Sequence, residues 1–153
     1  MIKIILYIFL ILPNITYAED LRKIIELSKS ALEAQSYRLK IISENIANAD
    51  STGLTPGSEP YRRKMVVFKN RYNNDKKIKL LNVSDVIYDP SQFKKKFEPN
   101  HPAADKKGYV LYPNVSSLIE SADAKEAQHS YEANLRSVEI TRSMLKDTLD
   151  LLK

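Results

Sequence analysis

An α+β fold follows from this sequence: two long terminal helices paired as a coiled-coil-like hairpin, with a small antiparallel β domain inserted between them. Three observations lead there. Leu21, Ile25, Ser28, Leu32, Gln35, Leu39, Ile42 and Ile46 recur at alternating steps of four and three, the spacing of a helix face that packs lengthwise against another helix. Ala124, Gln128, Tyr131, Leu135, Val138, Arg142, Leu145, Leu149 and Leu152 repeat the same steps at the other terminus. Between the two stripes, short β-branched and aromatic segments alternate with clusters of Gly, Pro and Asn, the pattern of strands and turns.

The chain divides at residues 18, 52 and 115. Residues 1–18 read as a secretory signal: Lys3, the apolar run Ile4 to Leu12, Pro13, and a small residue, Ala18, ahead of Glu19 and Asp20. Cleavage would fall after Ala18; the alternatives are a retained membrane anchor or a true start near Leu21. The apolar run is shorter than the ~20 residues that a spanning helix needs, so no stable span is predicted in the mature chain. Residues 19–52 hold the first helix, free of Gly and Pro until the segment Ala49-Asp50-Ser51-Thr52-Gly53 closes it.

The β domain occupies residues 53–115. GLTPGSEP, from Gly53 to Pro60, is a loop, and Tyr61 to Phe68 reads as a strand. Asn70 to Lys77 is a polar turn or loop; Ile78 to Tyr88 is a second strand, and Gly108 to Tyr112 a third. The string from Phe97 to Val110 reads as a structured loop. Pro99 and Pro102 fix φ, Asn100 and Asp105 can bond neighbouring backbone, and Gly108 permits a tight turn. Residues 116–153 form the last helix, with Ser116 and Ser117 as caps and Glu120 placed to complete a capping box.

The formal charge is +5, and there is no Cys. That excludes a disulfide framework, a thiolate nucleophile and a cysteine metal site. His101 with Asp105 lacks a nucleophile or a third ligand, so neither catalysis nor a metal site is predicted, and no cofactor. The lysines Lys94-Lys95-Lys96, Lys76-Lys77-Lys79 and Lys106-Lys107 are scattered, without a nucleic-acid fold motif. They read as solvated loop charge. The alternative is a basic periplasmic adaptor that holds an anionic polymer through these clusters.

Two long helices side by side leave their outer flanks bare, and helices draw most of their stability from packing. The terminal helices therefore read as assembly elements that complete their burial against other subunits. The predicted interface is Leu21, Ile25, Leu32, Leu39, Ile42 and Ile46 on the first helix, with Tyr131, Leu135, Val138, Leu145, Leu149 and Leu152 on the second. On this reading Ser28, Gln35 and Asn45, which interrupt the first helix, contact neighbouring subunits.

Several strings resemble the bacterial flagellar rod and hook axial proteins: Ser30 to Leu39, Ser43 to Thr52, Pro60 to Lys64, Glu98 to Val110, Pro113 to Val115, and Ser130 to Asn134. The Pro60–Lys64, Glu98–Val110, Pro113–Val115 and Ser130–Asn134 strings are similar to those of proximal-rod members in particular. The resemblance implies a non-enzymatic structural subunit of the basal-body rod, partnered by other rod subunits, the basal-body ring and further copies of itself. In that family the paired terminal helices line an inner tube and the β domain packs outside it. Motif residues carried over are Ser43, Asn45, Ala47, Asn48, Thr52, His101, Pro102, Asp105, Gly108, Tyr109, Ala133 and Asn134. Asn45, Ala47, Asn48 and Thr52 would end the first helix; Tyr131, Ala133 and Asn134 would lie at the packing face between subunits. The leader departs from the family pattern, in which export uses the flagellum's own apparatus and leaves the amino terminus uncut.

Overall fold

A computed structural model describes the backbone from Ile2 to Asp150 and the side chains from Glu19 to Asp150. Its elements in chain order are α1 (Ile2–Ala47), β1 (Lys64–Asn73), β2 (Ile78–Tyr88), β3 (Lys94–Phe97), β4 (Tyr109–Tyr112) and α2 (Ser117–Asp150). The predicted class holds: two long terminal helices enclose a small antiparallel β region. The cleavage position at Ala18 and the interface residue Leu152 lie outside the described side chains. Among the described residues no helix is long and apolar enough to cross a membrane.

Two compact units share these elements. One gathers the chain up to Ala34, Asn70–Asn82 and the chain from Ser130 onward; the other gathers Gln35–Lys69 and Val83–His129. In the first unit the β1–β2 turn meets α1: the Lys76 ammonium lies 2.9 Å from Glu26. Leu81 N–H donates to Ser30 Oγ at 3.2 Å, while that hydroxyl donates to Leu27 O at 2.7 Å. Ser30 is buried and thereby satisfied twice. In the second unit the core is formed by Ile41, Ile42, Ala103, Val110, Val115 and Ala127 around two buried polar residues, Asn45 and Glu120.

Four boundaries differ from the sequence reading. Helix α1 is continuous upstream to Ile2, so it does not begin at Glu19. Strand β1 starts at Lys64 and not at Tyr61, because the preceding backbone is bound elsewhere: Tyr61 N–H to Ser51 O, and Arg63 N–H to the Asn114 side chain. Its far end runs on to Asn73, whose Oδ1 accepts Asp75 and Lys76 N–H at 3.1 and 3.0 Å and confines the turn to a few residues. Strand β3 is the run Lys94-Lys95-Lys96-Phe97, whose charged composition reads as loop and conceals a strand that exists because β4 offers it a ladder. The strands form two separate two-stranded sheets, β1–β2 and antiparallel β3–β4, in place of one.

The seam of α2 is also turned relative to the predicted stripe. The positions that face inward at steps of four and three are Glu120, Ala124, Ala127, Tyr131, Asn134, Val138, Thr141, Leu145 and Thr148, with Asp123, Ser130, Glu132 and Ser137 half-buried beside them. Ala124, Tyr131, Val138 and Leu145 belong to both stripes. Ala127, Asn134, Thr141 and Thr148 replace Gln128, Leu135, Arg142 and Leu149, so small side chains line the seam and Arg142 stays in water. Large apolar residues are left outside it: Leu135 and Leu149 are 40% and 54% exposed, Ile140 and Met144 62% and 51%.

Candidate assembly site

The second unit is organised by a polar node that ties both helices to the β segments. Asn45, 1% exposed on α1, uses its whole amide. Nδ2 donates to Lys64 O and to Glu120 Oε2, each at 2.9 Å. Oδ1 accepts Lys64 N–H and Tyr61 O–H, also at 2.9 Å. Because Lys64 N–H can only donate and the carboxylate can only accept, the orientation of the amide is fixed. Burial pushes the Tyr61 phenol above its ordinary range, which keeps it a donor.

Glu120 is fully buried on α2. Its other oxygen takes Arg63 Nε at 2.6 Å, and the same guanidinium reaches Asp123 at 3.3 Å and Asp89 at 3.5 Å. A buried carboxylate is tolerated only with such partners. Arg63 N–H donates to Asn114 Oδ1 at 2.8 Å, and Asn114 Nδ2 donates to Asp89 O and to Ser91. Hydrogen bonds from Ser91, its backbone N–H first, hold the Asp89 carboxyl below the ordinary range. Arg38 adds pairs to Asp123 and Glu126 at 3.7 and 3.4 Å.

Two sequence readings are corrected here. Glu120 completes no capping box; its carboxylate points into the node, and only its backbone N–H bonds Ser116 O, at 2.9 Å. Asn45 is not an inter-subunit contact, because all its polar capacity is used within the chain. Nor does Asn45 end α1: the helix passes through it to Ala47, and Asn48 closes the end by donating Nδ2 to Glu44 O at 2.8 Å. Arg63 carried no signal in the sequence beyond its place in the string Pro60 to Lys64.

The string around His101 and Asp105 is a structured connection between β3 and β4. Asp105 Oδ1 accepts Lys107 and Tyr109 N–H at 2.8 and 2.9 Å. Those bonds, Tyr109's first, hold its carboxyl below the ordinary range. His101 Nδ1 accepts Ala103 N–H at 3.1 Å. Gly108 has φ +81°, and a Cβ there would lie 2.8 Å from the Phe97 ring, so only Gly fits. The Phe97 and Tyr109 rings meet edge-on at 5.4 Å. Two of the three lysines read as loop charge are engaged by the chain itself: Lys94 Nζ donates to Val115 O, and Lys96 lies over the Tyr112 ring at 3.9 Å. Among the described residues no group of three His, Cys, Asp or Glu is placed to hold a metal.

The predicted interface residues fall into three sets. Ile42 and Val138 are buried within the chain. Leu21, Ile25, Leu32, Leu39, Tyr131 and Leu145 are half-buried. Ile46, Leu135 and Leu149 are exposed. Of the other motif residues, Ser43 Oγ donates to Leu39 O, Ala133 is exposed, and Asn134 donates to Ser130 O at 2.7 Å. Thr52 and Gly108 are half-buried, and Pro102 is exposed.

Asn45, Tyr61, Arg63, Lys64 and Asn114 of the node lie within the strings that carry the family resemblance, and comparison with known proteins agrees. A sequence family described as "Flagella basal body rod protein" matches residues 25–54. A flagellar basal-body rod protein FlgC from Agrobacterium fabrum is 47% identical over 128 residues, 84% of this chain and 92% of that protein. The chain belongs to the FlgC family. FlgC of Yersinia enterocolitica is 40% identical over 133 residues, covering 86% of this chain and 98% of its own length. FlgC of Borreliella burgdorferi is 36% identical over 146 residues, covering 84% and 95%.

Proposed function

We propose that the chain is a non-enzymatic structural subunit of the flagellar basal-body rod; its relatives are named flagellar basal-body rod proteins. The observation that carries this reading is the apolar surface of α2. Ile140 and Met144, four residues apart, make a patch outside the seam, and Leu135 and Leu149 edge it elsewhere. A single partner helix covers one stripe; the remainder is surface for neighbouring subunits, and head-to-tail contacts that do not close build a filament or tube. Partners on this reading are other rod subunits, the basal-body ring and further copies of the chain. The interface is Leu21, Ile25, Leu32, Leu39, Ile46, Tyr131, Leu135, Leu145, Leu149 and Leu152, without the interior Ile42 and Val138.

The site of work is the periplasm, reached through the signal-like residues 1–18 with cleavage after Ala18. Two measurements test the proposal. Expressed in a bacterium lacking its own FlgC, the chain should restore basal bodies visible by electron microscopy; its absence from purified basal bodies would overturn the assignment. The intact mass of the exported protein should correspond to a start at Glu19, and a mass that includes Met1 would overturn the cleavage.

A further inference from the structure

A seam that repeats every seven residues resembles itself after a slip of one heptad, an axial shift of about 10.5 Å. Apolar contacts between such stripes separate the registers weakly, and the second unit's seam is built largely of small or interchangeable residues: Ile41, Ile42, Ala124 and Ala127. Asn45 and Glu120 are the exceptions. They sit on facing positions of α1 and α2, almost wholly excluded from water, and bond each other at 2.9 Å. An apolar pair of similar size would fill the same space without desolvating a charge, so stability alone does not account for them.

We infer that the Asn45–Glu120 pair selects the register of α1 against α2. A slip of one heptad sets Asn45 against Pro113 or Ala127, whose side chains have no polar atom. The amide would then be buried without its Glu120 partner, one Nδ2–H left unsatisfied, while Lys64 and Tyr61, tied to the end of α1 through Glu44 and Ser51, would stay beside it. Glu120 would face Thr52 or Arg38. Arg38 could still pair with it, so charge pairing alone does not forbid the slip; the amide does. Single buried polar positions act this way in coiled coils, trading stability for one alignment. Register matters because it fixes the height along α1 at which α2 presents its outer face, even though a heptad slip keeps the same face outward.

The chain has no Cys, so paired spin labels can be placed without background. Ser43→Cys and Ser121→Cys are exposed sites on the two helices, each bonded only to its own helix's backbone. In the full-length protein, at a dilution where singly labelled controls show no intermolecular coupling, electron–electron resonance should return one distance. In the Asn45→Leu/Glu120→Leu double variant a second population should appear, offset by up to about 10 Å, with helical circular dichroism retained. A single unchanged distance in the double variant would overturn the proposal. Loss of the helical signal would overturn it equally, because the pair would then hold the fold and not choose its register.

Discussion

At the scale of single residues, the side chains that matter most in the second unit are polar. Glu120 and Asn45 occupy positions that a heptad reading assigns to apolar groups, and Arg63 holds three carboxylates at once. Removing one member of a buried pair leaves the other without a counter-charge, which costs about 3–5 kcal/mol. Glu120→Ala should therefore destabilise the monomer by about 3 kcal/mol in urea denaturation followed by circular dichroism. A loss below about 1 kcal/mol would mean that water reaches Arg63 in the variant and that the node is less closed than its geometry indicates. The sequence made Glu120 visible only as a possible cap, since a Glu three or four residues into a helix serves either purpose. Which purpose it serves depends on Arg63, distant in sequence and brought near by the turn after α1.

At the scale of elements, the β3–β4 pair and the seam of α2 are each fixed by contacts that a local pattern does not contain. Asp105 holds the β3–β4 connection through two backbone N–H groups, and those bonds depress its carboxyl below the ordinary value of 3.8. A carboxylate depressed in the folded state contributes stability that is present above 3.8 and disappears as pH falls through its lower folded value. Hydrogen exchange at the Lys107 and Tyr109 amides should accordingly stay slow, after correction for intrinsic rates, down to pH 3.8 and accelerate below it. Asp105→Ala should abolish that step, and an unchanged profile in the variant would exclude the carboxylate as its cause. On α2, Ala127 is fully buried although the stripe read from the sequence passed through Gln128. Ala127→Leu should destabilise the monomer by about 1–3 kcal/mol through overpacking. Arg142→Leu, at an exposed position of the predicted stripe, should leave it nearly unchanged, and the reverse order would restore that stripe.

At the scale of the whole molecule, the exposed apolar residues of α2 are surface that packing within the chain leaves open. Ile140→Glu with Met144→Glu adds charge where the monomer is already open to water, and surface changes of that kind stay within about 0.5 kcal/mol. The double variant should melt with the parent protein and yet fail to enter basal bodies in the FlgC-deficient bacterium. Normal incorporation would remove this patch from the interface, and a lowered melting midpoint would mean that the patch packs within the monomer.

Two long helices around a β insert, the loop role of Asp105 and Gly108, and the family were legible in the sequence because each rests on local chemistry: a sustained period, turn residues at fixed places, and ordered strings that match relatives. Local chemistry did not decide which side of the α2 stripe faces inward, that a run of three lysines forms a strand, or that Asn45 and Glu120 meet. Those outcomes depend on residues far apart in the chain competing for the same buried space. Small side chains won the seam because they allow close approach without burying Arg142. The lysines became a strand because β4 supplied the hydrogen bonds. The amide and carboxylate went inside because Arg63, Tyr61 and Lys64 satisfied them there, and only the tertiary fold brings those groups together.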